Sequence, residues 1–300
     1  MNSEAAAIDT GFSSIYGRAA AYFELTKPRV LLMVLITALA GFYMGDGAAF
    51  DLVVALKALL GTALVAGGTL ALNEFVEREY DAKMNRTRHR PLPSGRLRPI
   101  EALVFGLVTT VIGAVFLWFV VNPLTALVAG SITVLYLGAY TPMKRYSWMC
   151  HVIGAVPGAL PPVICWAAAR NSLAAEPFVL FGIMFLWQLP HSLSIARLYQ
   201  QDYARAGMYL MPSDRSYGNP ANIVMIAATI VLVAFGTLPT AMGFAGMIYL
   251  SIAIVLGVVM LAYALTLART PTTDEDARRV MKVSLIYLPL VLLVMVLDKI

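Results

Sequence analysis

Long apolar stretches separated by short polar segments run through the whole chain. The apolar stretches cover residues 28–48, 52–76, 100–121, 123–141, 149–169, 177–198, 221–243, 245–268 and 280–297. Each has about the 20 residues that an α-helix needs to cross a bilayer, and none shows the short alternation of a membrane β-strand. The pattern predicts an all-α membrane protein with nine transmembrane helices, in which an N-terminal segment of residues 1–27 precedes one polytopic domain of residues 28–300.

The amino-acid composition agrees with a membrane protein and excludes most soluble classes. Of the 300 residues, 60% are hydrophobic and 13% are charged, whereas soluble proteins have about 25% charged residues. The 22 Lys and Arg residues outnumber the 17 Asp and Glu residues, but basic residues are dense in only one loop, so no nucleic acid partner is expected. The two cysteines, Cys150 and Cys165, lack C-x-x-C spacing, so neither a disulfide framework nor a metal knuckle is expected.

The basic residues are concentrated at every second connection of the predicted bundle. They are Arg18, Lys27 and Arg29 around the start of the first helix, six residues between Lys83 and Arg98 after the second, Lys144 and Arg145 after the fourth, Arg205 and Arg215 after the sixth, and Arg269, Arg278 and Arg279 after the eighth. Lys and Arg accumulate on the cytoplasmic side of membrane proteins. We therefore expect the N-terminus and the longer loops to face the cytoplasm, and the C-terminus to lie on the opposite side.

A stripe of oxygen-bearing side chains marks the end of the second predicted helix. Asn73, Glu77 and Asp81 are spaced by four residues, so each step turns only about 40° around the helix and rises about 6 Å. Hard oxygen ligands at this spacing suit Mg²⁺, which proteins commonly share with substrate phosphates. The alternative is a solvated helix end at which Glu77 and Asp81 pair with Arg78, Lys83 or other nearby bases.

A basic loop follows this stripe directly. It contains Lys83, Arg86, Arg88, Arg90, Arg96 and Arg98. Arginine binds phosphate oxygens through two donors at once. The juxtaposition of acids and bases indicates a metal ion and a polyphosphate between them. A positive-inside loop that contacts anionic lipid would also account for the bases, but not for the aligned Asn, Glu and Asp.

A second group of polar residues lies in and after the sixth predicted helix. Trp187, Gln188 and His191 fall within the apolar span, and Asp202 follows where the helix emerges. An ionisable residue inside a membrane span is a functional-site candidate by default. His191 could ligate haem iron, hold a substrate carboxylate or make a packing hydrogen bond, and the spacing does not decide among these roles.

The glycines and prolines of the fifth helix, from Gly154 to Pro162, indicate a kinked packing seam or the wall of a cavity.

The motif from Asn73 to Arg96, NEFVEREYDAKMNRTRHRPLPSGR, resembles the acidic signature of the UbiA-type intramembrane prenyltransferases. Further matches run along the chain, namely ELTKPR at 24–29, YTPMKR at 140–145, IGAVPGALPP at 153–162, WQLPH at 187–191 and DYARAG at 202–207. The first motif is typical of the whole superfamily. The later motifs are similar to those of its haem-farnesylating branch.

The resemblance implies a UbiA-type bundle whose lipophilic central cavity opens to a polar site on the cytoplasmic side. It further implies that farnesyl diphosphate and haem B are the substrates, that Mg²⁺ is the cofactor, and that the farnesyl group is transferred to a haem vinyl group with addition of water. The expected partners are the lipid bilayer and either haem A synthase or assembly proteins of a terminal oxidase. No protein nucleophile is expected, since an allylic cation is electrophilic enough to react with a vinyl carbon.

The resemblance also assigns roles to individual residues. Asn73, Glu77, Asp81 and Asp202 would be catalytic and bind the metal; Lys83, Arg86, Arg90 and Arg96, with Lys27 and Arg29, would bind diphosphate; Tyr140, Lys144, Trp187, Gln188 and His191 would contact substrate, the last on the haem side. The sequence departs from the family pattern at Glu77, where Asp is usual, and at Gln201 and Ala206, where a second acid is missing. Prenyl transfer to a quinone precursor or another tetrapyrrole is the alternative. A transporter would require repeated broken helices, and the fifth helix has no twin.

Overall fold

The computed structural model describes residues 16–46, 50–212, 219–268 and 273–300. Across these ranges the chain forms nine helices that are long and apolar enough to cross a membrane, as the apolar pattern predicts. We number them α1 (Pro28–Gly45), α2 (Leu52–Asp81), α3 (Pro99–Val121), α4 (Pro123–Met143), α5 (Cys150–Arg170), α6 (Glu176–Leu198), α7 (Pro220–Ala241), α8 (Met247–Ala268) and α9 (Asp274–Leu297). The all-α prediction is confirmed, and the protein is an integral multi-pass membrane protein.

Two helices extend well beyond their apolar stretches. The stretch of residues 52–76 continues as α2 to Asp81, and α9 begins at Asp274 rather than at 280. Thr273 caps α9: its hydroxyl accepts a hydrogen bond from the backbone N–H of Asp276, whose carboxylate accepts from the N–H of Thr273. This reciprocal cap satisfies two backbone donors and lets the helix start among polar residues.

The longer α9 changes where two predicted loop residues lie. Arg278 and Arg279 belong to its first turns, where both pair with Glu275. Residues 1–15 of the predicted N-terminal segment, together with Arg215 and Arg269, lie outside the described residues.

The helices pack as a ring around a central cavity. Helix α6 contacts α5, α7 and α9, α9 also contacts α1, and α2 packs along α3 and α1. The approach of α2 to α3 depends on small residues, because a Cβ added at Gly68 would lie 2.3 Å from Oγ1 of Thr110. Close packing through small residues is the usual means by which membrane helices associate.

Two irregularities in the helices lie beside the interior of the ring. Helix α5 breaks at Leu160, immediately before Pro161, whose ring interrupts the backbone ladder. Helix α4 contains a π-helical turn, Tyr136–Tyr140, which places two tyrosine rings 5.0 Å apart. Turns of this kind are frequent at functional sites.

Candidate functional site

The predicted stripe on α2 lies inside the protein rather than at a solvated helix end. Asn73, Glu77 and Asp81 are each at most 5% exposed, and they follow one another on successive turns of α2. The nearby bases Arg78 and Lys83 do not pair with them, since Arg78 binds Glu79 and Lys83 is exposed with its ammonium 5.9 Å from the ring of Tyr80. The buried acids therefore receive their counter-charges from more distant parts of the chain.

Glu77 forms a buried ion pair with Lys144. The Nζ of Lys144 lies 2.7 Å from Oε1 of Glu77 and 4.5 Å from the ring centre of Tyr140. Burial alone would lower the pKa of Lys144, but the adjacent Glu77 carboxylate outweighs it and holds the pKa well above its usual value. Lys144 is thus a cation fixed at the C-terminal end of α4.

Asp81 and Glu74 share Arg90 of the basic loop. Nη1 of Arg90 lies 2.8 Å from Oδ2 of Asp81, and Nε lies 3.6 Å from Oε1 of Glu74. The second oxygen of Glu74, Oε2, is buried without a hydrogen-bond partner. Sequence reasoning missed Glu74, although an acid within the apolar stretch 52–76 was a signal for it.

Asn73 joins two further segments to the stripe. Its Oδ1 accepts a hydrogen bond of 2.8 Å from Nζ of Lys27, and its Nδ2 donates one of 3.2 Å to Oγ1 of Thr141. Lys27 has a left-handed backbone, with φ of 49°, directly before α1. Such a conformation is unfavourable for a residue with a side chain and is typical of functional sites. Burial, followed by the charge of Arg90, lowers the pKa of Lys27 to about 8.

Asp202 lies beside the basic loop through Arg86. The backbone N–H of Arg86 is 3.4 Å from Oδ2 of Asp202, and its Nη2 donates a hydrogen bond of 2.8 Å to the hydroxyl of Tyr203. The guanidinium of Arg86 also lies 4.9 Å from the ring centre of Tyr199. Asp202 itself pairs with Arg205. Asp202 therefore lies at the same end of the bundle as the motif of residues 73–96.

Arg96 and Arg29 lie apart from this cluster. Nη1 of Arg96 is 2.7 Å from Oε2 of Glu24, and its Nη2 donates to the carbonyl of His89. Arg29 is exposed at the rim of the central cavity. Their diphosphate-binding roles remain predictions.

The oxygens on α2 form a donor set that suits a hard divalent cation. Within the described ranges, no three His, Cys, Asp or Glu side chains are already grouped as a metal site. The carboxylates of Glu77 and Asp81, with Oδ1 of Asn73, are nevertheless oxygens on one helix face, and the partnerless Oε2 of Glu74 lies nearby on the same helix. Magnesium prefers such oxygens and needs only one or two carboxylates when phosphate supplies the rest. The residues present therefore fit Mg²⁺, and its coordination remains a prediction.

An apolar cavity of about 450 Å³ occupies the interior of the ring next to these charges. Its wall includes Tyr136 and Tyr140 of α4, and Trp187, Gln188 and His191 of α6. Residues Gly154, Pro157, Gly158 and Pro161 of the broken helix α5 also line it. A Cβ at Gly158 would lie 2.3 Å from Oε1 of Gln188, so the glycine makes room for this amide. The fifth helix is therefore a cavity wall as well as a packing seam.

His191 and Trp187 are held by α9. Nδ1 of His191 lies 2.8 Å from Oγ of Ser284, and Nε1 of Trp187 donates a hydrogen bond of 2.7 Å to the Ser284 carbonyl. The indole and imidazole rings stack at 4.9 Å, with 15° between their planes. Sequence reasoning missed Ser284; its only signal was a polar residue within the apolar stretch 280–297.

Two known proteins are similar in sequence to nearly the whole of this chain. A protein named protoheme IX farnesyltransferase from Solibacter usitatus is 42% identical over 93% of this chain and 98% of its own length. A protein of the same name from Koribacter versatilis is 42% identical over 93% of both chains.

Solved structures show the same fold at lower sequence identity. A structure of digeranylgeranylglyceryl phosphate synthase has a TM-score of 0.79 at 18% identity and covers 94% of this chain and 98% of its own. A UbiA homolog from Archaeoglobus fulgidus bound to DMAPP and Mg²⁺ has a TM-score of 0.62 at 16% identity and covers 91% and 98% of the two chains.

The family model of the UbiA prenyltransferases matches residues 34–286, which include helices α2 to α8 and the first half of α9. The resemblance carried by the sequence motifs is thereby confirmed, and the chain belongs to the UbiA prenyltransferase family.

Proposed function

We propose that this prenyltransferase transfers the farnesyl group of farnesyl diphosphate to a vinyl group of haem B, with addition of water, to give haem O and diphosphate. The observation that carries the proposal is the contact between two unlike environments. A cluster of buried acids and bases adjoins an apolar cavity whose wall also holds a histidine and a tryptophan. The two relatives named protoheme IX farnesyltransferase, each 42% identical to this chain, support haem B as the acceptor.

The charged cluster is suited to a diphosphate. Lys27, Arg90 and Lys144 converge on α2 from three separate segments, and their ammonium and guanidinium groups would contact diphosphate oxygens. In this proposal Asn73, Glu77, Asp81 and Asp202 hold Mg²⁺, which would stabilise negative charge on the departing diphosphate. The farnesyl tail would lie in the apolar cavity, where burial of its carbons favours binding.

The reaction needs no side chain as a nucleophile. The bond between C1 of the farnesyl group and the diphosphate oxygen breaks, and its electron pair leaves with diphosphate. The terminal vinyl carbon of haem forms a bond to C1, which leaves a cation on the neighbouring carbon. Water adds there and loses a proton to the solvent. The bases around α2 would lower the barrier by stabilising the charge that grows on the leaving group.

The aromatic side chains of the wall are suited to the cationic stage. Tyr136, Tyr140 and Trp187 all face the cavity, and the face of an aromatic ring attracts a positive charge. They would shield the allylic cation from premature reaction with water. Gln188 and His191, on the α6 side of the cavity, would contact the haem.

The proposal includes an orientation in the membrane. The end of the bundle that holds Lys27, Arg90 and Lys144 would face the cytoplasm of a bacterial inner membrane, in agreement with the positive-inside rule. Haem O released there would pass to haem A synthase or to assembly proteins of a terminal oxidase.

The direct test is incubation of the purified protein with haem B, farnesyl diphosphate and Mg²⁺, followed by mass analysis of the haem. We expect a product heavier than haem B by one farnesyl group and one hydroxyl group, and in ¹⁸O-water we expect the label in that hydroxyl. A parallel reaction offers an aromatic ring acid instead of haem. A prenylated aromatic acid together with unmodified haem would contradict the proposal and assign the quinone-precursor alternative.

A further inference from the structure

His191 of α6 and Ser284 of α9 form a neutral polar pair at the cavity wall. Nδ1 of His191 lies 2.8 Å from Oγ of Ser284. Oγ of Ser284 also lies 2.7 Å from the carbonyl oxygen of Met281, one turn earlier in α9. Ser284 is fully buried, so neither contact is exchanged for water.

These two distances fix the tautomer of His191. A serine hydroxyl has one hydrogen to donate, and its oxygen can also accept. Two oxygens 2.7 Å apart need a hydrogen between them, so Ser284 donates to the Met281 carbonyl and accepts from Nδ1 of His191. The imidazole therefore carries its hydrogen on Nδ1, and Nε2 keeps an unshared electron pair. Within the described residues Nε2 has no hydrogen-bond partner.

The other two histidines of the chain are arranged differently. Nε2 of His151 lies 3.1 Å from the carbonyl oxygen of Leu210, to which it must donate. His151 thus keeps only Nδ1, the ring nitrogen next to its own backbone, for any other contact. His89 lies exposed in the basic loop, where it contacts Arg88. Only His191 combines a place on the cavity wall with an outer ring nitrogen that can accept.

We propose that Nε2 of His191 ligates the iron of the haem substrate, and that Ser284 is the positioning residue that holds the imidazole in the required tautomer. This inference rests on the proposed function in so far as haem B is the acceptor. Histidines that ligate metals nearly always donate their other N–H to a neighbouring acceptor, as His191 does to Ser284. The same tautomer excludes the role of binding a haem carboxylate, because Nε2 has no hydrogen to donate.

Trp187 completes the support of the ligand. Its Nε1 donates a hydrogen bond to the Ser284 carbonyl oxygen, and its indole stacks on the His191 ring. The orientation of the imidazole is therefore set by α6 and α9 together. Since a porphyrin lies roughly perpendicular to the bond between its iron and an axial nitrogen, these contacts would also constrain the plane of the haem.

The test measures haem ligation without farnesyl diphosphate. Absorption and magnetic circular dichroism spectra of ferric haem B are recorded with the purified wild-type protein and with His191→Ala, Ser284→Ala and Ser284→Thr. We expect a nitrogen-ligated spectrum for the wild type, its loss in His191→Ala, and its recovery in that variant when imidazole is added. Ser284→Ala should weaken the apparent affinity for haem about 10- to 100-fold, and Ser284→Thr, which keeps a hydroxyl, should restore most of it.

Ser251→Ala is the matched control for the serine. Ser251 is exposed on α8 and donates to the Met247 carbonyl, which is a similar back-bond, but it has no histidine partner. Its substitution should leave the spectrum and the affinity unchanged. An unaltered spectrum in His191→Ala would overturn the inference, as would loss of the ligated spectrum in His151→Gln alone.

Separate outcomes distinguish this inference from the proposed function. Farnesylated haem formed by the wild type, together with an unchanged spectrum in His191→Ala, would overturn the iron ligand and leave the reaction standing. A spectrum that depends on His191, together with no farnesylated haem, would overturn the reaction and leave the haem site standing.

Discussion

The two ends of the helix bundle hold their polar side chains in different ways. At the end that carries the acidic stripe, charged side chains pair with charged side chains from distant segments, as Glu77 does with Lys144. At the opposite end, charged side chains bind backbone groups. Nζ of Lys299 lies 2.6 Å from the carbonyl oxygens of both Tyr43 and Asp46, and Oδ2 of Asp298 accepts from the N–H of Tyr249.

This difference suggests that the two ends of the bundle contribute differently to enzyme activity and to protein stability. A side chain can exchange a carboxylate partner for a phosphate oxygen, so the paired cluster can accept a charged substrate. The carbonyls at the end of α1 and the N–H groups at the start of α8 belong to helix termini, which must find partners in any state of the protein. We therefore expect substitutions at the first end to reduce activity most, and those at the second end to reduce stability alone.

The largest expected effect is that of Asp81→Asn. The amide keeps the volume of the side chain but removes a charge that is buried beside Arg90. We expect the kcat/KM for farnesyl transfer in isolated membranes to fall by about 100- to 1,000-fold or more, by analogy with removal of one stabilising group from a preorganised site. The amount of protein in the membrane should not change.

Glu79→Gln is the matched control for this change. Glu79 lies on the same turn of α2, but its side chain is 76% exposed and pairs only with Arg78 among the residues described. Its substitution should leave kcat/KM within about twofold. Unchanged haem farnesylation by Asp81→Asn would contradict the metal-binding role of the stripe.

The next largest effect is expected from the Glu77–Lys144 pair. Lys144→Gln leaves the Glu77 carboxylate buried without its partner, which destabilises a protein by about 3–5 kcal/mol. The double variant Glu77→Gln, Lys144→Gln removes both charges and should recover most of the lost thermal stability. It should not recover farnesyl transfer, because the carboxylate and the ammonium are both absent.

Thermal unfolding in detergent and activity assays on the wild type, on Lys144→Gln and on the double variant test this prediction. Recovery of activity along with stability in the double variant would mean that the pair is structural, and it would remove the distinction between the two ends.

A smaller effect is expected at the opposite end. Lys299→Ala removes the donor to two carbonyls at the end of α1. A loss of about 1 kcal/mol lowers a melting temperature by about 2–4 °C, and kcat/KM below that temperature should stay at the wild-type value. Lys282→Ala, an exposed lysine on α9, should change neither quantity. A specific loss of farnesyl transfer in Lys299→Ala at low temperature would disprove the separation of roles.

The smallest effect is expected for Arg96. The sequence resemblance assigns it to diphosphate, but its side chain is 43% exposed and pairs with Glu24 at the surface. Exposed pairs contribute at most about 1 kcal/mol, so Arg96→Gln should raise the KM for farnesyl diphosphate no more than about fivefold. Arg90→Gln, in the buried cluster, should raise it far more. Equal effects of the two variants on the KM for farnesyl diphosphate would support the diphosphate-binding role of Arg96.

Much of the site was predictable because its spacing is local. Asn73, Glu77 and Asp81 lie four residues apart, and any helix through them places them on one face. Glu74 lies three residues before Glu77 and seven before Asp81, which is also a one-face helical spacing, and its ion pair with Arg90 shows that it belongs to the cluster. The sequence does not show that the side chain of Arg96 turns towards Glu24 while that of Arg90 turns towards Asp81.

The sequence by itself determined the nine helices and the family. Backbone polar groups must be satisfied within the bilayer, so each apolar stretch of about 20 residues has few alternatives to a helix. The tertiary structure alone decided which side chains meet across the bundle. Lys27 reaches Asn73 over 46 residues, Lys144 reaches Glu77 over 67, and His191 reaches Ser284 over 93. These contacts depend on how helices pack and where they break, and no local spacing encodes that arrangement.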